Sequence, residues 1–279
     1  MNDITSYMLE QTKKILSIDS PTGFTAHAAE YVLGAYKKLG YDAKLTNKGG
    51  IFVCVNDGPD QADDPADAPI LLEAHMDTLG GMVCSINEKG RLMLSALGGM
   101  NPNNAEAENC RVYTRSGKVY SGTFQLKNAS IHVNGSYNDT ARSYDAMEVV
   151  LDEPVESKAD TEALGIMTGD IVCFDPRTTV TESGYIKSRF LDDKLSVGIL
   201  LGFAKYLKET DKKPARKIYQ HITVFEEVGH RCFQNVNDIK SQHDDNEDIA
   251  GKETEASKQD YCSSDEQRGK FQRLEEHGL

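Results

Sequence analysis

The chain has 279 residues, of which 39% are hydrophobic and 27% charged, and its formal net charge is −13. No apolar run approaches the roughly 20 residues that cross a membrane, so we expect no membrane-spanning segment. A strongly acidic chain is a poor electrostatic match for a phosphate backbone, so we also expect no nucleic-acid partner.

The beginning of the chain has the apolar spacing of two helices, at residues 8–16 and 26–39. Between them the motif SPTG at 20–23 breaks the helical pattern, as Pro and Gly do. Two short strands are predicted to follow, at 43–45 and 51–55. The first part of the chain therefore has the pattern of helices and strands that is typical of an α/β protein.

The sequence pattern changes twice after these first elements. Residues 57–67 are rich in Asp and Pro, which is typical of a solvated loop, and 69–74 are an apolar run of buried-strand length. From 80 to 184, short apolar runs alternate with Gly, Asn and Ser, which predicts a small all-β unit. The α/β texture returns with a buried helix at 195–207 and a β-branched core strand at 218–225.

These patterns predict an α/β domain interrupted by an inserted, barrel-like all-β domain. Residues 1–79 and 185–231 are expected to form the two parts of the α/β domain, and 80–184 the insertion. Residues 232–279 are predicted to be an atypical polar tail, with disorder as one alternative, because they are acidic and poor in apolar residues. The six cysteines are scattered without a CxxC pair, which indicates reduced thiols and a cytoplasmic protein.

Polar residues at the end of the predicted strand 69–74 form the first candidate site. His75 and Asp77 follow that strand directly, and ligands of open α/β sheets bind beyond the carboxyl ends of strands. A His ligand whose second ring nitrogen is held by a carboxylate suits zinc or cobalt. The alternative is a core or capping His followed by a turn.

Two further acidic pairs could reach the same edge of the sheet. Asp192 and Asp193 precede the buried helix, where an N-cap explains one Asp but not both. Glu226 and Glu227 follow the core strand, where adjacent carboxylates are costly unless they are solvated, paired or metal-bound. If the pair is functional, one Glu ligates a metal and the other takes a proton from the attacking water. A polar loop is the alternative.

Four motifs, SPTG at 20–23, AHMDT at 74–78, LDDK at 191–194 and FEEVG at 225–229, resemble the tetrahedral aminopeptidases. That family of dinuclear metallo-aminopeptidases includes glutamyl and deblocking types. The resemblance implies a mixed-sheet α/β/α metallopeptidase domain, with a dimerisation domain at the β insertion. It also implies peptide substrates, a homo-oligomer formed through the insertion, and two divalent metal ions, zinc or cobalt.

The resemblance assigns a role to each candidate residue. His75 would ligate one metal, Glu227 would ligate the other, and Asp192 would bridge the two. Asp77 would orient His75, and Glu226 would be the general base. The implied activity is metal-dependent hydrolysis of N-terminal residues from peptides.

The resemblance ends near Arg231, before a further Asp and a distal His that members of the family supply as ligands. We therefore expect a truncated or frame-shifted C-terminus, a doubtful second metal site and impaired activity, because under-coordinated metals bind weakly. Two alternatives remain open. One is a related dinuclear carboxypeptidase or deacylase, and the other is a non-catalytic assembly protein or relic of the family.

Overall fold

A computed structural model describes residues 3–58, 68–210, 212–229 and 272–273. The polar tail predicted for 232–279 lies outside these residues apart from 272–273. Most of the predicted loop at 57–67 lies outside them too.

The helices, in chain order, are α1 Asp3–Leu16, α2 Ala26–Lys38, α3 Lys158–Ala163 and α4 Leu191–Thr210. The strands are β1 Lys44–Leu45, β2 Ile51–Asn56, β3 Ile70–His75, β4 Gly80–Ile86, β5 Leu92–Leu97, β6 Glu108–Tyr113, β7 Val119–Leu126, β8 Met147–Leu151, β9 Ile171–Phe174, β10 Thr179–Val180, β11 Tyr185–Lys187, β12 Ile218–Thr223 and β13 Gln272–Arg273. The helices and strands predicted before residue 80 are confirmed to within a few residues. None of the helices among the described residues is both long and apolar enough to span a bilayer.

The α/β part is built on a mixed sheet with the strand order β1-β2-β12-β3. Strand β12 runs antiparallel to β2 and parallel to β3. Helices α1, α2 and α4 share one apolar core with this sheet, which includes Ile15, Val32, Val197 and Ile222. The mixed sheet agrees with the predicted α/β class.

The inserted β unit is a closed barrel with the strand order β4-β5-β8-β7-β6-β9. Its interior is a second apolar core, in which Phe124 and Phe174 meet edge to face with ring centroids 5.5 Å apart. A small separate sheet, β10-β11-β13, follows the barrel. The barrel-like insertion predicted from the sequence is confirmed. We retain the exact domain boundaries, at 79, 184 and 231, as a proposal.

Two predicted elements differ from the structure at their ends. Helix α4 begins at Leu191, four residues before its predicted start, and Asp192 and Asp193 within it have non-helical backbone angles. Strand β12 ends at Thr223, and a 3-10 helix, Glu226–Val228, follows it. Both differences fall at the acidic pairs, where the backbone leaves the regular element and turns the carboxylates toward neighbouring groups.

Candidate metal and catalytic site

The site lies where β3 and β12 end side by side. Because these strands are parallel, with Thr223 opposite His75, their carboxyl ends meet at one edge of the sheet. His75 is the last residue of β3, and Glu226 and Glu227 begin the 3-10 helix that follows β12. Gly229 ends this helix with φ of 87°, a left-handed conformation that glycine adopts without strain.

The imidazole of His75 is the centre of the site. Its Nε2 lies 3.2 Å from Oδ1 of Asp192 and 3.6 Å from Oε2 of Glu226. Its Nδ1 lies 3.1 Å from the backbone oxygen of Asp77. Burial disfavours protonation of the ring, but hydrogen bonds with Asp192 and Asp77 outweigh it and raise the pKa of His75 to about 11. A ring held in this way keeps Nε2 toward the exposed carboxylates.

The carboxylate of Asp77 is fully buried beneath His75 and joins three parts of the chain. Its Oδ2 accepts hydrogen bonds from the hydroxyl of Thr22 at 2.8 Å and from the amide of Glu227 at 3.2 Å. Its Oδ1 accepts one from the amide of Glu226 at 3.3 Å. Burial alone would raise the pKa of Asp77, but hydrogen bonds from His75 and Thr22 hold it below its ordinary value.

The two aspartates at the start of α4 have different surroundings. The side chain of Asp192 is 88% exposed, although its Oδ1 faces His75. Asp193 is turned inward, where its Oδ2 accepts a hydrogen bond from the backbone amide of His75 at 3.4 Å. Burial raises the pKa of Asp193. Asp192 is therefore open to a ligand, whereas Asp193 supports the end of β3.

The two glutamates also differ. Glu226 is half-exposed and faces Nε2 of His75. Burial, reinforced by the neighbouring carboxylates, raises the pKa of Glu227 to about 7 although His75 opposes the shift. Several carboxylates lie close together here, and the repulsion between their charges opposes full ionisation. A bound divalent cation would reduce that repulsion.

The structure thus brings Asp192 and Glu226 to the imidazole of His75, with Asp77 and Glu227 nearby. Their chemistry, one imidazole nitrogen and several carboxylate oxygens, fits zinc or cobalt. Within the described part of the chain, however, no three His, Cys, Asp or Glu side chains are arranged to hold one ion. The described residues fit a metal in donor type but do not form a complete ligand set.

Sequence reasoning missed three contacts of this site. The SPTG motif is part of the resemblance, but it does not indicate the bond from Thr22 to Asp77, which joins residues 55 positions apart. The sequence pattern marks Asp193 only as the neighbour of Asp192 and does not indicate its bond to the amide of His75. Gly98, after β5, lies so near that a Cβ on it would be 3.3 Å from the Cβ of Glu227, and no pattern in the sequence indicates this approach.

A mixed α/β sheet with imidazole and carboxylate groups at the ends of parallel strands is typical of metallohydrolases. The sequence profile of the M42 glutamyl aminopeptidases matches residues 53–243. The protein YhfE of Bacillus subtilis (strain 168) is 38% identical over 228 residues, which is 82% of this chain. The chain therefore belongs to the M42 glutamyl aminopeptidase family.

Other relatives agree with this assignment. The glutamyl aminopeptidase of Lactococcus lactis is 27% identical over 229 residues, 80% of this chain. The TET1 peptidase of Pyrococcus horikoshii, described as assembling into a tetrahedron or a large octahedral shell, matches with a TM-score of 0.65 and 25% identity. That match covers 80% of this chain and 62% of the peptidase. This chain spans 64% of the length of YhfE and 61% of the Lactococcus enzyme.

Proposed function

We propose that this chain is a metal-dependent aminopeptidase that hydrolyses N-terminal residues from peptides. Family membership supports this class of activity and does not favour a carboxypeptidase, a deacylase or a non-catalytic relic. The observation that carries the proposal is the approach of Asp192 and Glu226 to Nε2 of His75, at 3.2 and 3.6 Å.

The proposed roles are those that the resemblance to the family implies. His75, Asp192 and Glu227 would hold two divalent metal ions, zinc or cobalt, and Asp192 would serve as a ligand to both. A bound metal supplies polarisation of the peptide carbonyl and a lowered pKa for water. Glu226, half-exposed, accepts the proton of the attacking water at Oε2 and returns it to the leaving amine.

Asp77 is proposed to orient His75 rather than to touch the substrate. Its backbone and carboxylate oxygens lie 3.1 and 3.4 Å from Nδ1 of His75. A proton held at Nδ1 leaves Nε2 free as a metal ligand. The amides of Glu226 and Glu227, bonded to the same carboxylate, fix both glutamates relative to the imidazole.

Three further expectations belong to this proposal. We still predict impaired activity, because the described residues do not form a complete set of metal ligands. A homo-oligomer is supported by the assembly described for the TET1 peptidase, and its formation through the barrel stays a prediction. A cytoplasmic location stays a prediction that rests on the scattered cysteines of the sequence.

The proposal is tested by titrating the metal-free chain with Zn²⁺ and Co²⁺ in a calorimeter, and by assaying it on three substrates. These are aminoacyl p-nitroanilides, their N-acetylated forms, and peptides with a blocked N-terminus whose C-terminal residue is released. We expect metal-dependent cleavage of the first alone, weak in rate, and lost in Glu226→Gln. The control is Glu148→Gln, because Glu148 is a partly buried carboxylate of β8 that bonds Asn87 in the barrel.

Two results would overturn the proposal. Faster cleavage of N-acetylated substrates or of C-terminal residues would indicate a deacylase or carboxypeptidase. No metal binding and no hydrolysis at any metal concentration, by a chain that is folded and oligomeric, would indicate a non-catalytic role. Two tight metal sites with rapid turnover would instead remove only the prediction of impairment.

A further inference from the structure

The connection between α1 and α2, residues 18–22, lies between the barrel and the candidate site. On the barrel side, the carboxylate of Asp19 is 8% exposed and accepts two hydrogen bonds from Arg111, from Nε at 2.6 Å and Nη2 at 2.7 Å. It accepts a third from the hydroxyl of Tyr113 at 2.6 Å. Both donors belong to β6, so a wall of the barrel holds Asp19 by a bidentate, charge-assisted contact.

On the other side, the same connection is bonded to the residues after β3. The hydroxyl of Ser20 donates to the oxygen of Met76 at 2.7 Å, and the amide of Thr78 donates to the oxygen of Ser20 at 2.9 Å. The amide of Thr22 donates to the oxygen of Thr78 at 3.2 Å. Residues 20–22 and 76–78 are therefore joined by several hydrogen bonds, and Asp77 lies within the second of these segments.

Two packing contacts fix the connection further. Lys194, 1% exposed and close to Asp192 in sequence, donates from Nζ to the oxygen of Ile18 at 2.6 Å. Gly80, the first residue of β4, lies so close that a Cβ on it would be 2.7 Å from Pro21. The start of α4 and the start of the barrel thus contact the same short segment.

From these contacts we infer that Arg111 and Tyr113 are positioning residues of the site, acting through Asp19 and Thr22 on Asp77. The barrel then has a role within each subunit, in addition to any role in assembly. Strand β6 would fix the position of the Asp77 carboxylate. That carboxylate accepts hydrogen bonds from the amides of Glu226 and Glu227 and contacts the ring of His75. The catalytic meaning of this inference rests on the proposed function, but the positioning itself does not.

The physical reason is the number of bonds that depend on one buried carboxylate. Asp19 receives three hydrogen bonds from β6, and removal of Arg111 leaves it with Tyr113 alone among those three. A buried carboxylate without its partner is costly, so the connection would shift to solvate Asp19. Thr22 would shift with it, and its 2.8 Å bond to Asp77 would lengthen or break.

The test is hydrogen exchange of the full chain, read at the amides of Glu226 and Glu227 by mass spectrometry or NMR. Because both amides donate to Asp77, their exchange reports its position without any metal or substrate. We expect Arg111→Gln to speed this exchange about tenfold, the effect of one lost hydrogen bond. Tyr113→Phe, a milder change, should raise it less.

Matched controls separate positioning from a general loss of stability. Arg142, also in the β insertion, makes the same kind of bidentate contact with Glu106, at 2.9 and 3.1 Å. Arg142→Gln should leave the exchange of Glu226 and Glu227 within about twofold of the unmodified chain, because distant sites are largely independent. Thr22→Val should act like Arg111→Gln, whereas Thr22→Ser, which keeps the hydroxyl, should behave like the unmodified chain.

A parallel titration with Co²⁺, followed by its visible absorption, gives a second readout. We expect Arg111→Gln to weaken Co²⁺ binding and to change its spectrum, and Arg142→Gln to change neither. Equal exchange rates at Glu226 and Glu227 in Arg111→Gln and Arg142→Gln would overturn the inference. If the unmodified chain binds no Co²⁺ and cleaves no peptide, the proposed function fails, while the exchange comparison still decides the positioning.

Discussion

Nε2 of His75 lies 3.2 Å from Oδ1 of Asp192, although the two residues are 117 positions apart in the sequence. The entire barrel is inserted between these two residues. His75 ends a strand of the mixed sheet, and Asp192 stands in the irregular first turn of the helix that packs against that sheet. The site therefore forms only when the chain returns from the barrel and completes the α/β core.

Substitution of the two glutamates after β12 should affect metal binding to different extents. If Glu227 is a ligand and Glu226 the general base, Glu227→Gln should weaken Zn²⁺ binding by about tenfold or more, whereas Glu226→Gln should change it only a few-fold. Asp192→Asn and His75→Ala should behave like Glu227→Gln. Calorimetric titration of the four variants at one pH measures this. Equal weakening by both glutamine variants would show that the two roles are not divided as proposed.

Much of the fold could be predicted from the sequence because its elements have clear periodicities. The apolar runs at 69–74 and 218–225 predicted the strands β3 and β12, and the short apolar runs after residue 80 predicted the barrel. Since the carboxyl ends of parallel strands meet at one edge, the meeting of His75 with Glu226 also followed from the pattern. The exact ends of the elements, such as the early start of α4, could not be predicted, because they depend on local hydrogen bonds that periodicity does not encode.

The supporting contacts could not be predicted for a different reason. Asp19 and Arg111 are 92 residues apart, and neither belongs to a recognisable motif. A pairing between a loop and a strand of another unit depends on how the two units pack, which no single segment specifies. Gly98 is similar, because its closeness to Glu227 exists only after the barrel has folded against the sheet.

Asp77 should make stability depend on pH in acid. Its pKa in the folded chain is lowered, so its ionised form stabilises the fold above the unfolded value of about 3.9, and this contribution disappears as the pH falls through the folded value. Asp77→Asn should lower the free energy of unfolding at pH 7 by about 2 kcal/mol, since it loses charge-assisted hydrogen bonds.

Urea unfolding at pH 7, 5 and 3 measures this difference between Asp77→Asn and the unmodified chain. The difference should be smaller at pH 3 than at pH 5, because pH 3 lies below the unfolded value of about 3.9 and the contribution of Asp77 is being lost there. Thr22→Ser is the control, because it keeps the hydroxyl donor to Asp77 and should show no such pH dependence. A difference that stays the same at all three values would mean that Asp77 is not a stabilising anion.

The cysteines of the barrel should differ sharply in reactivity. Cys84 on β4 is exposed, whereas Cys110 and Cys173 are each 2% exposed. Burial raises the pKa of Cys110 to about 12 and that of Cys173 well above its ordinary value, so few thiolates form at either. Iodoacetamide at pH 8, followed by peptide mass spectrometry, should label Cys84 first and the buried pair only after urea is added. Rapid labelling of Cys110 in the folded chain would contradict the closed barrel.

Two glycines in helices should respond to alanine in opposite directions. Gly198 of α4 packs against α1, and a Cβ on it would overlap Thr12, which is buried. Gly198→Ala should therefore destabilise the chain by about 1–3 kcal/mol, the usual range for overpacking. Gly34 lies within α2, and a Cβ on it would meet nothing within 4 Å, so Gly34→Ala should stabilise the chain by about 0.5–1 kcal/mol through helix propensity. Urea denaturation of both variants measures the two shifts, and a Gly198→Ala variant as stable as Gly34→Ala would show that α1 and α4 do not pack this closely.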